Sequence, residues 1–504
     1  MSAMKTPGVY LVDKNTFPDS VVEVATAVPA FIGYTEKAAD GNKSLLNKPW
    51  KITSLAEFQT YFGGAPDPTF SIVELKDDSM DSPDFVSGGK KYKLQQDGGK
   101  YLLYYSMLLF YANGGGPCYI VSIGDYATAI DSGLMKAGIT DLIGEQEPTM
   151  VVIPETTLLP DSDASAGVQA AMLEHCGDKM KNRFAILDIY EGYKARNDPS
   201  GDKVLDFRNK IGTGFLGFGA AYYPWLNTSI VQDKDLSYLN IANKNILQSI
   251  LKDELLPEGA KMDATGKDDI RTILDRVVMA DLAPVDRDML DKELSAMSPV
   301  FNEIIRGMKD SLNLLPPGAA MAGIYTMVDN ARGVWKAPAN VSINSVVSPS
   351  VGISHEDQEE LNVPLDGKSI NAIRTFVGEG TLVWGARTLD GNSADWRYIN
   401  VRRTMIMLEE SIKVASKAYV FEPNVADTWV TLKSMISSFL VGIWKRGGLV
   451  GASPEEAFSV NVGLGETMTS EDILAGIMRI TVLVALTRPS EFQEITFQQQ
   501  MRKS

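Results

Sequence analysis

Histidine and cysteine, which supply much of the acid–base, nucleophilic and metal-binding chemistry of proteins near neutral pH, are scarce in this sequence. The 504 residues include two histidines and two cysteines, and His175 stands next to Cys176. The surrounding segment is predicted to be helical, and adjacent helical residues point in different directions. The pair therefore fits neither a catalytic dyad nor a shared metal site. His355 lies in a polar stretch typical of a solvated helix start, so we expect no catalytic group and no bound metal.

A second candidate site is the glycine-rich segment Gly212–Gly217, which matches the dinucleotide-binding pattern GxGxxG. That pattern needs a strand before it and a helix after it. Here the order is reversed, because a helix-like run (205–211) precedes the glycines and an aromatic, strand-like run (220–225) follows them. The segment Gly367–Ser369 ends like a phosphate loop, but Asn362 stands where the first glycine of that loop would be. We expect two turns, no cofactor and no enzymatic activity, with a nucleotide-binding α/β enzyme as the weaker alternative.

Composition and charge exclude further classes of function. Hydrophobic residues make up 44% and charged residues 22% of the chain, which is the mix of an ordinary globular protein. The formal net charge of −16 would repel a phosphate backbone, so it disfavours binding to nucleic acid. No apolar run reaches the ~18 residues that a membrane span needs, and the N-terminus lacks the apolar core of a secretory signal. We expect a protein that is made and folded in the cytoplasm without direct membrane insertion.

The elements that would position any site begin with an α/β pattern in the middle of the chain. Four short apolar runs alternate with segments of helical composition, which predicts βαβ units around a mostly parallel sheet. Such strands are apolar throughout because helices cover both faces of the sheet. The predicted strands are Cys118–Ile123, Met150–Ile153, Phe184–Ile189 and Ala220–Tyr223.

Two segments interrupt this pattern and indicate how the chain divides. Residues 67–100 are rich in Asp, Gly, Ser and Lys and are predicted to form a loop or small surface insertion. Residues 229–315 are acidic and helix-prone and are predicted to form an exposed helical insertion. We therefore predict a multidomain α/β chain, α+β overall, with an N-terminal arm and linker, a central α/β domain that carries both insertions, and a C-terminal domain. The bounds of these three parts are 1–20, 21–360 and 361–504.

The C-terminal part has the clearest helical periodicity. Apolar residues recur at alternating steps of three and four over Met405–Tyr419 and over Val425–Ile443, which predicts two amphipathic helices. A dense β-branched run over Ile477–Leu486 predicts a strand, and alternation over Glu494–Met501 predicts a terminal strand. Residues 401–504 contain 11 basic and 11 acidic residues, so this part is neutral and the acidic excess lies before it.

Two long strings stand out, LPPGAAMAGIYTMVDNARGVWKAPAN from Leu315 and, from Leu361, a string that begins LNVPLDGKSINAIRTFVGEG. Shorter strings accompany them along most of the chain, among them TPGVYLVD at Thr6 and RPSEFQEITFQQQ at Arg488. Together they strongly resemble the tail sheath proteins of contractile phages and related contractile injection systems. The resemblance implies a structural subunit of a phage tail or phage tail-like particle, which polymerises helically around an inner tube and contracts to drive the tube through a target envelope.

The resemblance also implies an inner, tube-facing domain built from the N- and C-terminal segments and an outer central domain. Sheath proteins of this family link neighbours by exchanging terminal strands. In this chain the β-prone run Gly8–Val12 and the terminal run Glu494–Met501 would add to sheets of neighbouring subunits by β-augmentation. The residues expected to pair are Val9, Tyr10, Leu11, Val12, Ile495, Thr496, Phe497 and Gln498.

The expected partners are further copies of this chain, an inner tube protein, and the baseplate and tail-terminator or cap proteins. A non-contracting tube or shell subunit with similar strand exchange is the main alternative. The sequence leaves open whether the particle is a phage tail, a bacteriocin or an effector-delivery system. We expect the C-terminal domain to face the tube through one helix and the turn after it, with the residues Trp429, Lys433, Trp444, Lys445 and Arg446.

Overall fold

The contacts within the chain divide it into two compact units in the computed structural model. The large unit consists of residues 27–332 and 336–402, and the small unit consists of residues 1–26, 333–335 and 403–504. The structure describes residues 20–76, 82–257 and 264–492. None of the helices in this part of the chain is both long enough and apolar enough to cross a membrane.

The large unit contains seventeen strands and eleven α-helices within the described residues. The strands are β1 (Pro29–Tyr34), β2 (Ala39–Asp40), β3 (Lys43–Ser44), β4 (Trp50–Ile52), β5 (Thr69–Glu74), β6 (Phe85–Ser87), β7 (Lys90–Gly98), β8 (Cys118–Gly124), β9 (Met150–Val152), β10 (Phe184–Asp188), β11 (Gly219–Tyr223), β12 (Leu226–Thr228), β13 (Leu314–Leu315), β14 (Val341–Ser342), β15 (Val346–Pro349), β16 (Asn371–Phe376) and β17 (Gly380–Val383). The helices are α1 (Leu55–Phe62), α2 (Leu103–Ala112), α3 (Ser132–Asp141), α4 (Ser162–Glu174), α5 (Lys203–Lys210), α6 (Lys244–Leu255), α7 (Ala264–Val277), α8 (Pro284–Met297), α9 (Pro299–Leu312), α10 (Gly318–Arg332) and α11 (His355–Asn362).

Nine of these strands form one sheet in the order β14–β17–β16–β11–β10–β9–β1–β8–β4. The six strands from β16 to β8 run parallel, and β17, β14 and β4 add antiparallel edges. The α/β class and the mostly parallel sheet predicted from the apolar runs are confirmed. Strands β16 and β17 complete this sheet, so residues 361–402 group with the large unit, although the sequence placed the start of a C-terminal domain at 361.

Side chains of the parallel strands alternate between two cores, one on each face of the sheet. On β9, Val151 belongs to the first core, and Met150 and Val152 belong to the second. Helices α3, α4 and α5 cover the first face, and α2 and α10 cover the second. Where α2 and α10 meet, a Cβ at Gly323 would lie 2.6 Å from the carbonyl oxygen of Phe110, so a glycine is required for this close approach.

The two predicted insertions fold together on a third core. The sequence predicts a loop or a small surface insertion for residues 67–100, and the loop alternative is wrong, because these residues contain the antiparallel sheet β5–β7–β6. Its polar composition reflects the outer face of this sheet, whereas residues such as Ile72 and Tyr92 face the helices α6–α9. The helical character of residues 229–315 is confirmed. We refer to residues 67–100 and 229–315 together as the insertion module.

The small unit is built from two long helices, two short helices and one pair of strands within its described residues. Both predicted amphipathic helices are confirmed, and the strand predicted over Ile477–Leu486 is shorter than expected. The backbone N–H of Val24 donates to Ser411 Oγ at 3.1 Å, which ties the described N-terminal residues to this unit. The elements are α12 (Ile399–Ser416, in this unit from Arg403 onward), α13 (Ala426–Lys445), α14 (Pro454–Ala457), β18 (Phe458–Asn461), α15 (Ser470–Leu474) and β19 (Thr481–Val484).

Two buried carboxyl groups at the carboxyl ends of parallel strands hold the starts of α2 and α10. Glu155, just after β9, accepts hydrogen bonds from the backbone N–H groups of Leu102 (3.2 Å) and Leu103 (2.8 Å). Asp188, the last residue of β10, accepts one from the N–H of Gly318 (2.7 Å), the first residue of α10. Burial raises the pKa of each carboxyl group to about 7. Both groups therefore titrate near neutral pH.

We predict that these two groups lower the stability of the folded protein as the pH rises from about 5.5 to about 7.5. Their pKa of about 7 in the folded state lies above the ordinary values of 4.5 for Glu and 3.8 for Asp, so the unfolded chain releases both protons first. Their contribution to the free energy of unfolding is full below about pH 4 and is lost by about pH 7, at about 3 kcal/mol for Glu155 and about 4 kcal/mol for Asp188. Thermal unfolding at pH of about 5.5 and about 7.5 measures the part of the loss that falls between these two values.

The matched variant carries Glu155→Gln and Asp188→Asn, which removes both titrations. Its unfolding temperature should change less between the two pH values than that of the wild type. Other titrating groups are common to both proteins and cancel in the comparison, including His175, whose pKa is lowered to about 4 by burial and by the charge of Arg183. An equal change in both proteins would contradict the prediction.

Candidate functional site

The histidines and Cys176 occupy positions that fit structural roles. His175 is buried with its Nε2 2.8 Å from Arg183 Nη1, and burial raises the pKa of the Cys176 thiol to about 12. The thiol is therefore neutral near pH 7 and is a poor nucleophile. His355 is exposed, with Nε2 3.2 Å from a carboxylate oxygen of Glu359. Within the described ranges, no three His, Cys, Asp or Glu side chains come together as metal ligands.

Both glycine-containing candidates for phosphate binding are turns. Helix α5 precedes Gly212–Gly217 and strand β11 follows it, which confirms the helix–turn–strand order predicted from the sequence. In the second candidate, Ser369 Oγ donates to the carbonyl oxygen of Asn362 at 2.6 Å, and Lys368 Nζ donates to the carbonyl oxygen of Arg208. Both side chains therefore bind backbone carbonyl groups of the large unit and hold the polar turn in place.

The carboxyl ends of β1 and β9 form the position at which α/β sheets bind ligands. The sheet continues from β1 to β8 on one side and to β9 on the other, and ligand crevices form at such switch points. Here Glu155 fills the position, since a Cβ at Gly33 of β1 would lie 2.6 Å from its Oε2. The carboxyl group of Glu155 thus accepts hydrogen bonds from the N–H groups at the start of α2, which is the kind of position where a phosphate binds in other α/β proteins. Glu155 and Asp188 were not predicted, although an acidic residue at the end of a buried strand was a usable signal.

The small unit contains an open antiparallel sheet, which has two strands in the described part of the chain. Strands β18 and β19 pair from Phe458 opposite Val484 to Asn461 opposite Thr481. Such a small sheet is marginally stable alone, and its edges present backbone groups to which further strands can add. Outside the described residues lie the predicted exchange residues Val9, Tyr10, Leu11, Val12, Ile495, Thr496, Phe497 and Gln498.

Three of the five residues predicted to face a tube, Lys433, Lys445 and Arg446, have exposed side chains. Lys445 ends the exposed face of α13, and Lys433 borders it. The other residues of this face are small except for one aspartate, so a partner could approach the helix backbone closely. At steps of three and four, the face consists of Asp427, Thr431, Ser434, Ser438, Gly442 and Lys445.

Trp429, Trp444 and Arg446 make contacts within the small unit. The two tryptophans are half-buried, and their indole N–H groups donate to oxygen atoms of the same unit at 2.7 Å and 2.9 Å. Arg446 forms an ion pair with Glu23, and its guanidinium carbon lies 5.0 Å from the ring centre of Trp335. These three side chains therefore already have partners in the protomer.

The turn between α12 and α13 exposes an apolar tip. Phe421 is 101% exposed and has a positive φ of 76°, and its neighbour Val420 is also exposed. Val425, at the start of α13, extends the tip. Adjacent exposed apolar side chains are typical of a surface that binds another protein.

Known proteins match part of the chain in sequence. The model of the phage tail sheath C-terminal domain matches residues 392–501. The tail sheath protein of Enterobacteria phage T4 is 27% identical over 135 residues, which are 27% of this chain and 20% of the T4 protein. A putative prophage major tail sheath protein of Pseudomonas aeruginosa (strain UCBPP-PA14) is 25% identical over 136 residues, which are 27% of this chain and 35% of that protein. The matched part thus spans about a fifth to a third of these relatives.

Solved structures are similar over nearly the whole chain. The helical sheath of the anti-feeding prophage in its contracted state is 28% identical, with a TM-score of 0.61, and the match covers 99% of this chain and 100% of that chain. The sheath of the extracellular contractile injection system PVC in its contracted state is 26% identical, with a TM-score of 0.59 and 99% of each chain covered. A chain of the anti-feeding prophage baseplate matches with 28% identity, a TM-score of 0.59, and 99% of this chain and 100% of that chain covered. The chain is therefore similar to contractile sheath subunits in fold over nearly its whole length, and residues 392–501 match the phage tail sheath C-terminal domain in sequence.

Proposed function

We propose that this protein is a structural subunit that polymerises helically around an inner tube and contracts to drive the tube through a target envelope. The strongest support is its similarity, over 99% of the chain, to two sheaths in their contracted state. The similarity to a baseplate chain supports association with a baseplate. The inner tube and the tail-terminator or cap proteins complete the proposed set of partners, and assembly in the cytoplasm is part of the same proposal.

We predict that the purified protein forms long hollow cylinders wide enough to have lost contact with a tube. A contracted sheath shortens and widens because its subunits exchange one packing for another, and the lower-energy packing should form without a tube. Electron microscopy of the full chain, alone and assembled with its tube protein, measures the diameter. Cylinders of equal diameter in both samples would support a non-contracting tube subunit instead, and persistent monomers at high concentration would overturn the sheath proposal.

We propose that the open sheet of β18 and β19 receives the terminal arms of neighbouring subunits. Each added strand satisfies backbone groups at an edge and enlarges a sheet that is marginal with two strands. Backbone pairing of this kind depends little on the orientation of side chains, so it could persist while subunits rotate. The residues proposed to pair are Val9, Tyr10, Leu11, Val12, Ile495, Thr496, Phe497 and Gln498.

We predict that replacing Gln498, Gln499 and Gln500 by prolines leaves a folded protomer that does not polymerise. Proline has no backbone N–H and cannot donate to a strand ladder. The matched control replaces the same three residues by alanines, which keep the N–H groups and should polymerise. Size-exclusion chromatography and electron microscopy distinguish the two outcomes. Normal cylinders from the proline variant would exclude strand exchange through this segment.

We propose that the exposed face of α13 contacts the tube, with Lys445 at its end and Lys433 at its border as the basic side chains of the contact. Trp429, Trp444 and Arg446 would act indirectly, since their contacts within the small unit hold this helix and its following turn. The apolar tip at Phe421 lies directly before α13 in the chain and would extend the contact.

We predict that Lys433→Glu together with Lys445→Glu reduces binding of sheath to tube while cylinders still form. The reversal changes charge on exposed positions and removes no side-chain hydrogen bond among the described residues of the small unit, so the fold should persist. The matched control is Lys136→Glu, which reverses an exposed lysine on α3 of the large unit. Co-sedimentation of sheath with preassembled tubes measures the effect. Equal binding by the double variant and the control would remove these lysines from the contact.

A further inference from the structure

The outer face of the three-stranded sheet in the insertion module carries two valines beside two lysines. The strand register places Val86 opposite Lys91 and Val73 opposite Lys93, and cross-strand partners share a face. Val86 is 52% exposed, Val73 and Lys91 are exposed, and Lys93 is half-buried. Tyr92 points to the other face and is buried in the core of the module. We refer to Val73, Val86, Lys91 and Lys93 as the valine–lysine face.

The corner between α7 and α8 is apolar with an acidic border. Val285 and Met289, four residues apart, lie on one side of α8, and Val285 is 70% exposed. Val278 and Met279, directly after α7, are also exposed. An exposed apolar strip with adaptable methionines is typical of a docking surface. Exposed aspartates border it, and we define the acidic strip as Val278, Met279, Asp281, Val285, Asp286, Asp288 and Met289.

These two surfaces belong to different layers of the insertion module. Asn243, directly before α6, binds the backbone N–H and the carbonyl oxygen of Ile72 in β5 at 3.0 Å and 2.9 Å, so the inner face of the sheet packs on the helices. The valine–lysine face lies on the opposite, outer side of that sheet, and the acidic strip belongs to the helical layer. One copy could use both surfaces at once with two different neighbours.

We propose that the valine–lysine face of one copy docks on the acidic strip of the next copy in the polymer. The inference rests on the proposed function, because it needs a helical polymer of this chain. Charge complementarity favours a second copy as the occupant, since the exposed Lys91 would lie against aspartates and the valines against the apolar strip. A contact between two different surfaces of one chain repeats from copy to copy and builds an open polymer.

Cross-linking between two introduced cysteines tests this contact. The variant carries Val86→Cys and Val285→Cys at exposed positions, while the natural cysteines, Cys118 and Cys176, are both buried. A short bismaleimide added to assembled cylinders should give a ladder of dimers, trimers and longer chains on a denaturing gel. Each single-cysteine variant is the matched control and should give no ladder, because head-to-tail docking never brings two identical residues together.

Charge reversal in the same double-cysteine background supplies the second measurement. Adding Lys91→Glu should abolish the ladder, and adding Asp281→Lys and Asp288→Lys to that variant should restore it. Cylinders without a ladder from the double-cysteine variant would overturn this contact and leave the sheath function standing. The absence of cylinders from the wild-type protein would overturn both.

Discussion

The hydrogen bonds from two helix starts to two buried carboxyl groups determine how one face of the large sheet is covered. Glu155 holds α2 and Asp188 holds α10, and these helices approach each other closely at Gly323 to bury the second core. A parallel sheet has to be covered on both faces, so the placement of these helices is a condition for the whole fold. The N–H donors in turn compensate the cost of burying each polar group.

The bonds of Glu155 and Asp188 hold the two helices that follow the insertions. Helix α2 starts just after residues 67–100, and α10 starts just after residues 229–315. Each insertion also leaves and returns side by side. Thr69 pairs opposite Gly98 in the first, and Asn227 pairs opposite Leu314 at the base of the second. The chain is therefore lengthened at both places without displacing a strand of the large sheet, and the shared third core stabilises the two added segments together.

Local patterns were enough to predict the parallel strands and the two long helices of the small unit. Strands buried on both faces have few polar residues, and an amphipathic helix repeats its apolar residues at fixed steps. Contacts between distant residues were not predictable in this way. The sheet of residues 67–100 has one polar face and buries its other face on helices far along the chain, and Glu155 meets Leu103 across 52 residues of sequence. Residue type likewise suggested Trp429 for a surface, but its contacts within the small unit leave it half-buried.

A lattice that changes its packing while staying connected needs two kinds of contact between subunits. Strand pairing, which we propose for β18 and β19, uses backbone groups that every residue except proline carries, so it tolerates changes in the surrounding side chains. A contact between the valine–lysine face and the acidic strip depends on matched surfaces and on charges that salt screens, so it forms and breaks as the packing changes. In the two proposals, the contacts that the small unit makes with neighbouring subunits persist, and the contacts that the insertion module makes with them are reversible. The exposed positions of Val86 and Val285 suit that second role, because side chains that are already solvated in the protomer can separate from a neighbour without unfolding it.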